Sequence, residues 1–365
     1  MNILITNFML LENSGTELYV KELAVELSNR GHVVEVYVLF IGRVGNGLIE
    51  QNINVVTKLD QLKHIPDIIH AHHNLVTKKV IKYFNNTPVI FFLHDRVSLL
   101  DHPFLHKNIL SWVAVDFNCK ERYLLNYFKE EDITIIYNWF NSDRFQEKLL
   151  INEVPLKALL FSNYIGYDAI SNEIKSACDE LGIDFTIIGL KSGNPCEKPE
   201  RELQKYDLVF GKAKAGIEAM SSGCALIVCD FLGLGEMVTS ENINEFQKYN
   251  FGMKLMIKPI TKNGIISEIK KYNKKEIEKV QNIIRKSHRF NTRVDEIETL
   301  YFSTVERYKN NFLGNYSQSI FNRISVYVGS NKIYFKYFFV KNFPISFKLL
   351  RYFYIRFFKP SLYAK

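Results

Sequence analysis

The first forty residues restrict the fold more than any other stretch. Ile3 to Thr6 is a short apolar run. Val20, Leu23, Ala24 and Leu27 then recur at the i, i+3, i+4, i+7 spacing of an amphipathic helix, and Gly31 ends it. Val33 to Leu39 is the next apolar run. Strand, helix and strand at this spacing make a βαβ unit and so a parallel sheet. Ser14 and Glu17 stand three apart, which predicts a capping box at the helix start.

The pattern continues along the chain. "PDIIHAHH" (66–73), "PVIFFLHD" (88–95), "LSWVAVDF" (110–117) and "DITIIYNWF" (132–140) are further apolar runs, the first two ending in polar residues. A second α/β set follows: "LKALLFSN" (156–163), a helix near 168–181, "DFTIIGL" (184–190), "YDLVFG" (206–211), a helix near 213–222 and "ALIVCD" (225–230). Charged helical sequence runs over 262–310. The expectation is an α/β fold of two Rossmann-like, doubly wound domains, 1–145 and 146–310, followed by a tail, 311–365. A chain of 365 residues, 47% hydrophobic, can bury two such cores.

Charge separates the tail from the body. Nine of the 47 basic residues lie beyond residue 310, where there is no acidic one, so residues 1–310 carry 38 basic against 39 acidic residues. A nearly neutral body argues against nucleic acid as a partner. The five cysteines form no CxxC pair, so neither a disulfide framework nor a zinc site is expected. Met1-Asn2 leads directly into an apolar strand without a basic leader, which predicts a cytoplasmic location.

In parallel α/β sheets, ligands bind beyond the carboxyl ends of the strands. That rule selects Asn7, His70, His72, His73, His94, Asp95, Asn138, Asn163, Gly189, Lys212 and Asp230, and the loop holding Gly15. His70 and His72 share one strand face, which fits either a metal ligand pair or imidazoles that satisfy buried backbone. Beyond Asp67 no carboxylate or cysteine lies close by in sequence, so no metal is expected. His94-Asp95 suits a side chain oriented as acid, base or hydrogen-bond donor, or a histidine satisfied in the core. Lys212 and Lys214 at a helix start oppose the macrodipole, which marks them as a phosphate cradle. Glu218, one turn on, is placed to accept the two hydroxyls of a ribose, or simply to pair with Lys214 at i,i+4. Neither GxGxxG nor GxxxxGK[ST] occurs.

"NSGTELYVKELAVELSNRGHVVEVYVL", "PDIIHAHH", "VIFFLHD", "ITIIYNWFNSDRF" and "YDLVFGKAKAGIEAMSSGCALIVCDFLGLGEMVT" together resemble family 4 of the glycosyltransferases over about residues 1–240. The resemblance implies the GT-B fold, with two Rossmann-like domains facing a cleft. It implies transfer of a sugar from a nucleotide-sugar to a glycan or lipid-linked acceptor with retention, in surface-polysaccharide assembly. Glu218 then matches the glutamate that holds the donor ribose, Gly15 the glycine loop at the donor phosphate and His94 the histidine near the transferred sugar. Asp95 joins His94 as a catalytic candidate. Gly233 and Gly235 join Lys212 and Lys214 at the donor, and His72 and Asn138 are candidates for the acceptor. No cofactor is expected, the nucleotide-sugar being a substrate. Two departures stand out. Phe210 occupies the place of the family's earlier glutamate, and "FSNYIGYDAI" stands where the family carries an arginine and a lysine.

The tail carries 17 Phe/Tyr among its 55 residues but no apolar stretch long enough to span a bilayer. Lys348, Arg351, Arg356 and Lys359 fall on one helical arc, so an interfacial helix against anionic lipid on the inner membrane face is expected, or else packing on the body. Two other functions remain open: a GT-B-fold sugar-nucleotide epimerase or hydrolase, and a non-catalytic binding subunit. A dehydrogenase is disfavoured by the missing dinucleotide fingerprint.

Overall fold

The computed structural model describes residues 1–12, 15–125 and 129–310. Ser14 of the expected capping box and the whole tail lie outside the described residues.

The first half runs β1 (Asn2–Thr6), β2 (Met9–Leu10), α1 (Gly15–Asn29), β3 (Val33–Tyr37), β4 (Phe40–Ile41), α2 (Arg43–Ile49), β5 (Asn54–Val56), β6 (Ile68–His72), α3 (Asn74–Tyr83), β7 (Val89–Leu93), β8 (Ile109–Ala114), α4 (Phe117–Leu124) and β9 (Ile133–Ile135). Seven of these strands form a parallel sheet in the order β5-β3-β1-β6-β7-β8-β9, and β2 pairs with β4 apart from it. Winding starts at β1, moves out to β5 and then returns to β6. The crevice between the carboxyl ends of β1 and β6 is therefore the switch point of this sheet.

The second half runs β10 (Lys157–Phe161), α5 (Ala169–Glu180), β11 (Asp184–Ile188), α6 (Pro199–Glu202), β12 (Leu208–Gly211), α7 (Ala213–Ser221), β13 (Ala225–Asp230), β14 (Gly233–Met237), α8 (Ile243–Lys248), α9 (Lys262–Ile269), α10 (Lys274–Ser287) and α11 (Phe290–Lys309). Its sheet has the order β11-β10-β12-β13-β14, with β14 antiparallel at the edge. The switch point lies between β10 and β12.

Both sheets are covered on both faces, which is why their strands read as unbroken apolar runs. Alternate residues of the second sheet separate cleanly. Leu159, Val209, Leu226 and Val228 pack with helices α7, α8 and α10, whereas Leu160, Leu208, Phe210 and Ile227 pack with α5 and α9. The single charged stretch expected over 262–310 is three helices. The last of them, α11, returns to the first sheet, where Phe290, Val294, Ile297 and Tyr301 join the core formed by α1. The chain leaves and re-enters the first half side by side: Phe140 N–H donates to His288 O, and Phe290 N–H donates back to Phe140 O. His288 Nδ1 adds a 2.6 Å bond to Asn138 O.

Candidate active site between the two sheets

Two clusters stand at the carboxyl ends of the strands. The first belongs to β6 and β7. His72 Nδ1 lies 2.8 Å from His94 Nε2, and His70 Nδ1 lies 2.5 Å from the Tyr301 hydroxyl on α11. Tyr19 of α1 packs edge-on against both rings of the pair, with centroids 5.3 Å from His72 and 4.7 Å from His94, and Trp139 packs on Tyr19 at 4.2 Å. His70 and His72 are fully buried, while His94 sits at the margin of the cluster. Burial removes water from the charged form, so all three imidazoles are held below the usual histidine range, His94 at about 3. These are neutral rings at physiological pH.

The rest of this crevice is tied by local bonds. His73 adopts a positive φ of 61°, and its Nδ1 accepts the Phe8 N–H at 3.0 Å, which pins the loop after β1 to the end of β6. Asp95 accepts the amides of Val97 and Ser98 at 2.6 and 2.8 Å and so closes its own turn. Asp101 lies beneath it, accepting the His94 N–H at 3.2 Å, and burial pushes its carboxyl up to about 7. Gly15 opens α1 with open space where a Cβ would be.

The second cluster is ionic. Lys214, in the first turn of α7, reaches across the cleft to Glu22 of α1 at 2.8 Å, and only 3.8 Å separates it from Glu218. Glu22 also accepts Trp139 Nε1 at 2.8 Å and Arg144 at 3.1 Å, and Arg144 continues to Glu200 at 2.9 Å. Two neighbouring carboxylates thus diverge. Burial pushes Glu22 up, but Lys214, Trp139 and Arg144 outweigh it, and the net shift is downward. For Glu218 burial outweighs Lys214 and Arg144, the charges of Glu22 and Glu200 add to it, and the carboxyl is pushed up to about 7. Beside it, Lys212 pairs with buried Asp230 at 2.6 Å, and Ser162 Oγ donates to the same carboxylate at 2.7 Å. The Lys212 ammonium also stands over the rings of Tyr164 and Phe231, at 4.9 and 5.2 Å.

The structure therefore gathers Lys212, Lys214 and Glu218 at the β10–β12 switch point, and His72 and His94 at the end of β6 and β7. Asn138 lies at the crossing between the halves. Gly233 and Gly235 sit on β14, where a Cβ would meet Met256 O at 2.7 Å and Leu255 O at 2.9 Å; close backbone packing is enough to require glycine there. His72, expected at the acceptor, is enclosed and has His94 for a partner. Phe210 fills the sheet core. Glu22, Trp139, Arg144, Ser162 and Tyr19 were not singled out by the sequence. Among the described residues no group of three His, Cys, Asp or Glu is placed to hold a metal ion.

This architecture matches solved structures over 83% of the chain. A glycosyltransferase from Rickettsia africae superposes with a TM-score of 0.61 at 14% identity, covering 83% of this chain and 98% of that one. Anabaena Alr3699/HepE in complex with UDP-glucose gives 0.60 at 15% identity, covering 83% and 100%. A sucrose-phosphate synthase from Thermosynechococcus elongatus gives 0.52 at 12%, covering 83% and 98%. The fold is GT-B. No protein-family model matches the chain, and no curated protein matches it in sequence. Tyr19 and Trp139 connect the imidazole cluster to the ionic cluster, and α11 is the helix that crosses back from the second half to the first.

Proposed function

We propose that the chain is a glycosyltransferase that moves a sugar from a nucleotide-sugar to a glycan or lipid-linked acceptor with retention of configuration. The observation that carries this reading is the ionic cluster at the β10–β12 switch point. A protonatable carboxyl, Glu218, lies there beside two lysines and the first turn of α7, whose leading amide, Ala213 N–H, is already bonded to Phe251 O. That set suits a ribose and a diphosphate. The lysines are held by Glu22 and Asp230, so the incoming diphosphate must compete with these carboxylates for them. A leaving nucleotide held there would help to deprotonate the acceptor hydroxyl, and the protein's share would be orientation and charge stabilisation. No metal is invoked in this reading. HepE was solved with UDP-glucose, so UDP-sugars are the first donors to test.

We place the enzyme at the cytoplasmic face of a membrane, in surface-polysaccharide assembly, with the basic aromatic stretch 311–365 meeting anionic lipid. The test is a thermal-shift panel of UDP-, GDP- and CDP-sugars, followed by nucleotide release with and without membrane-derived acceptor. Release that requires acceptor supports transfer; release without any acceptor points to the hydrolase. One observation favours a second reading, the non-catalytic binding subunit. Phe210 replaces a family glutamate with a buried ring, and both lysines already have carboxylate partners. That reading predicts no response to any donor.

A further inference from the structure

The imidazole cluster contains two nitrogens with no hydrogen-bond partner, Nε2 of His70 and Nε2 of His72, both fully enclosed. An enclosed N–H without an acceptor is far rarer in proteins than an enclosed lone pair without a donor, because the lost bond to water is not replaced. His72 is neutral and carries one proton. On Nε2 that proton would point at nothing. On Nδ1 it points at His94 Nε2, 2.8 Å away. The Nδ1 placement satisfies the donor and leaves only a lone pair unpaired. His94 must then accept at Nε2, so its own proton sits on Nδ1. That atom has no partner among the described residues and is not one of the enclosed orphans, and His94 is only partly buried, so its Nδ1 keeps some exposure beyond the carboxyl ends of β6 and β7. Tyr19 packs edge-on against both rings and resists a flip of either.

We infer that His72 is a positioning residue that fixes the tautomer of His94, so that His94 offers an N–H, and not a lone pair, to the cleft. On the transferase reading above, on which its meaning for catalysis rests, His94 donates a hydrogen bond to a hydroxyl of the transferred sugar. It is not the base that deprotonates the acceptor.

Long-range proton–nitrogen correlation spectra of the full chain, labelled with 15N-histidine, read each tautomer directly at neutral pH. His94→Asn and His72→Asn assign the two signals by their loss. Both rings are expected as Nδ1–H. A wild-type His94 in the Nε2–H form overturns the inference whether or not any donor binds. Where a nucleotide-sugar is turned over, His72→Asn, whose side-chain amide overlays the imidazole Nδ1–H, keeps kcat/KM within about threefold. His72→Leu, with no donor, is expected to lose about tenfold, chiefly in KM, as His94 changes tautomer. Equal losses in the two variants, with an unchanged His94 signal, would also contradict the assignment. If His72→Leu does not fold, the wild-type spectrum decides.

Discussion

The two clusters that face each other across the cleft are built on opposite principles. On the first sheet, His70, His72 and His94 are kept neutral by burial and held by aromatic contacts with Tyr19, Phe92 and Tyr301. On the second, Lys214, Arg144, Glu22, Glu200 and Glu218 form a chain of ion pairs that joins the two halves. Such a buried network is costly to break, because removing one member strands the others. The neutral cluster contains no ion pair; its tie to the other half is the bond between His70 and Tyr301 on α11. Its histidines lie below their usual range, so the stability they contribute is complete above about pH 6.5 and is lost only as the pH falls towards their lowered values. The ionic cluster responds nearer neutrality, because Glu218 titrates at about 7.

The largest effect tests whether the second sheet tolerates a carboxylate in place of Phe210. Phe210→Glu puts a charge into the core between α5 and α9, and should cost about 5 kcal/mol or prevent folding. Denaturant unfolding measures it; a variant as stable as wild type would mean that position 210 opens to the cleft. Next is Glu22→Ala, which leaves Lys214 and Arg144 without their shared partner. A loss of about 4 kcal/mol is expected, and Lys214→Met in the same background should recover part of it.

The third prediction is a pH dependence. Glu218 has its folded pKa raised from 4.5 to about 7, so its contribution is complete below about pH 4.5 and is lost as the pH rises through 7. The loss is on the order of 3 kcal/mol, and Glu218→Gln should abolish that slope in unfolding curves taken from pH 5 to 8. Glu22 works in the opposite direction: its stabilisation is present above its usual range and fades as the pH falls. A Glu218→Gln variant that keeps the wild-type slope would remove the contrast between the clusters. The smallest effect is Trp139→Phe, which keeps the packing on Tyr19 but deletes the bond to Glu22, for about 1.5 kcal/mol in the same assay.

The strands, their order of appearance and the polar residues at their ends were legible because a sheet buried on both faces writes itself as apolar runs. The helix of Glu218 was legible for the same reason, its small residues packing on β13. The partnerships were not. Glu22 and Lys214 are 192 residues apart, and nothing local to either announces the other. Glu22 reads as one more solvated glutamate beside the stripe of α1. Lys214 reads as a cation at a helix start, which suggested a phosphate or a pair with Glu218; in the folded chain the carboxylate of Glu22 is its nearer partner. Gly233 and Gly235 suggested a ligand, yet the backbone of 255–258 occupies the space beside them. The assignment of α11 to the first sheet was equally hidden, since an amphipathic stripe does not say which sheet it will cover.

The central claim, that the β10–β12 crevice holds a nucleotide-sugar on Glu218, is tested most directly by isothermal calorimetry. UDP-glucose and the best responder of the donor panel would be titrated into wild type and into Glu218→Ala at one pH. The account predicts binding to wild type and a loss of at least about tenfold in the variant, the equivalent of a paired ribose contact. Equal affinity for both proteins would contradict it, and so would the absence of binding to wild type by any nucleotide-sugar.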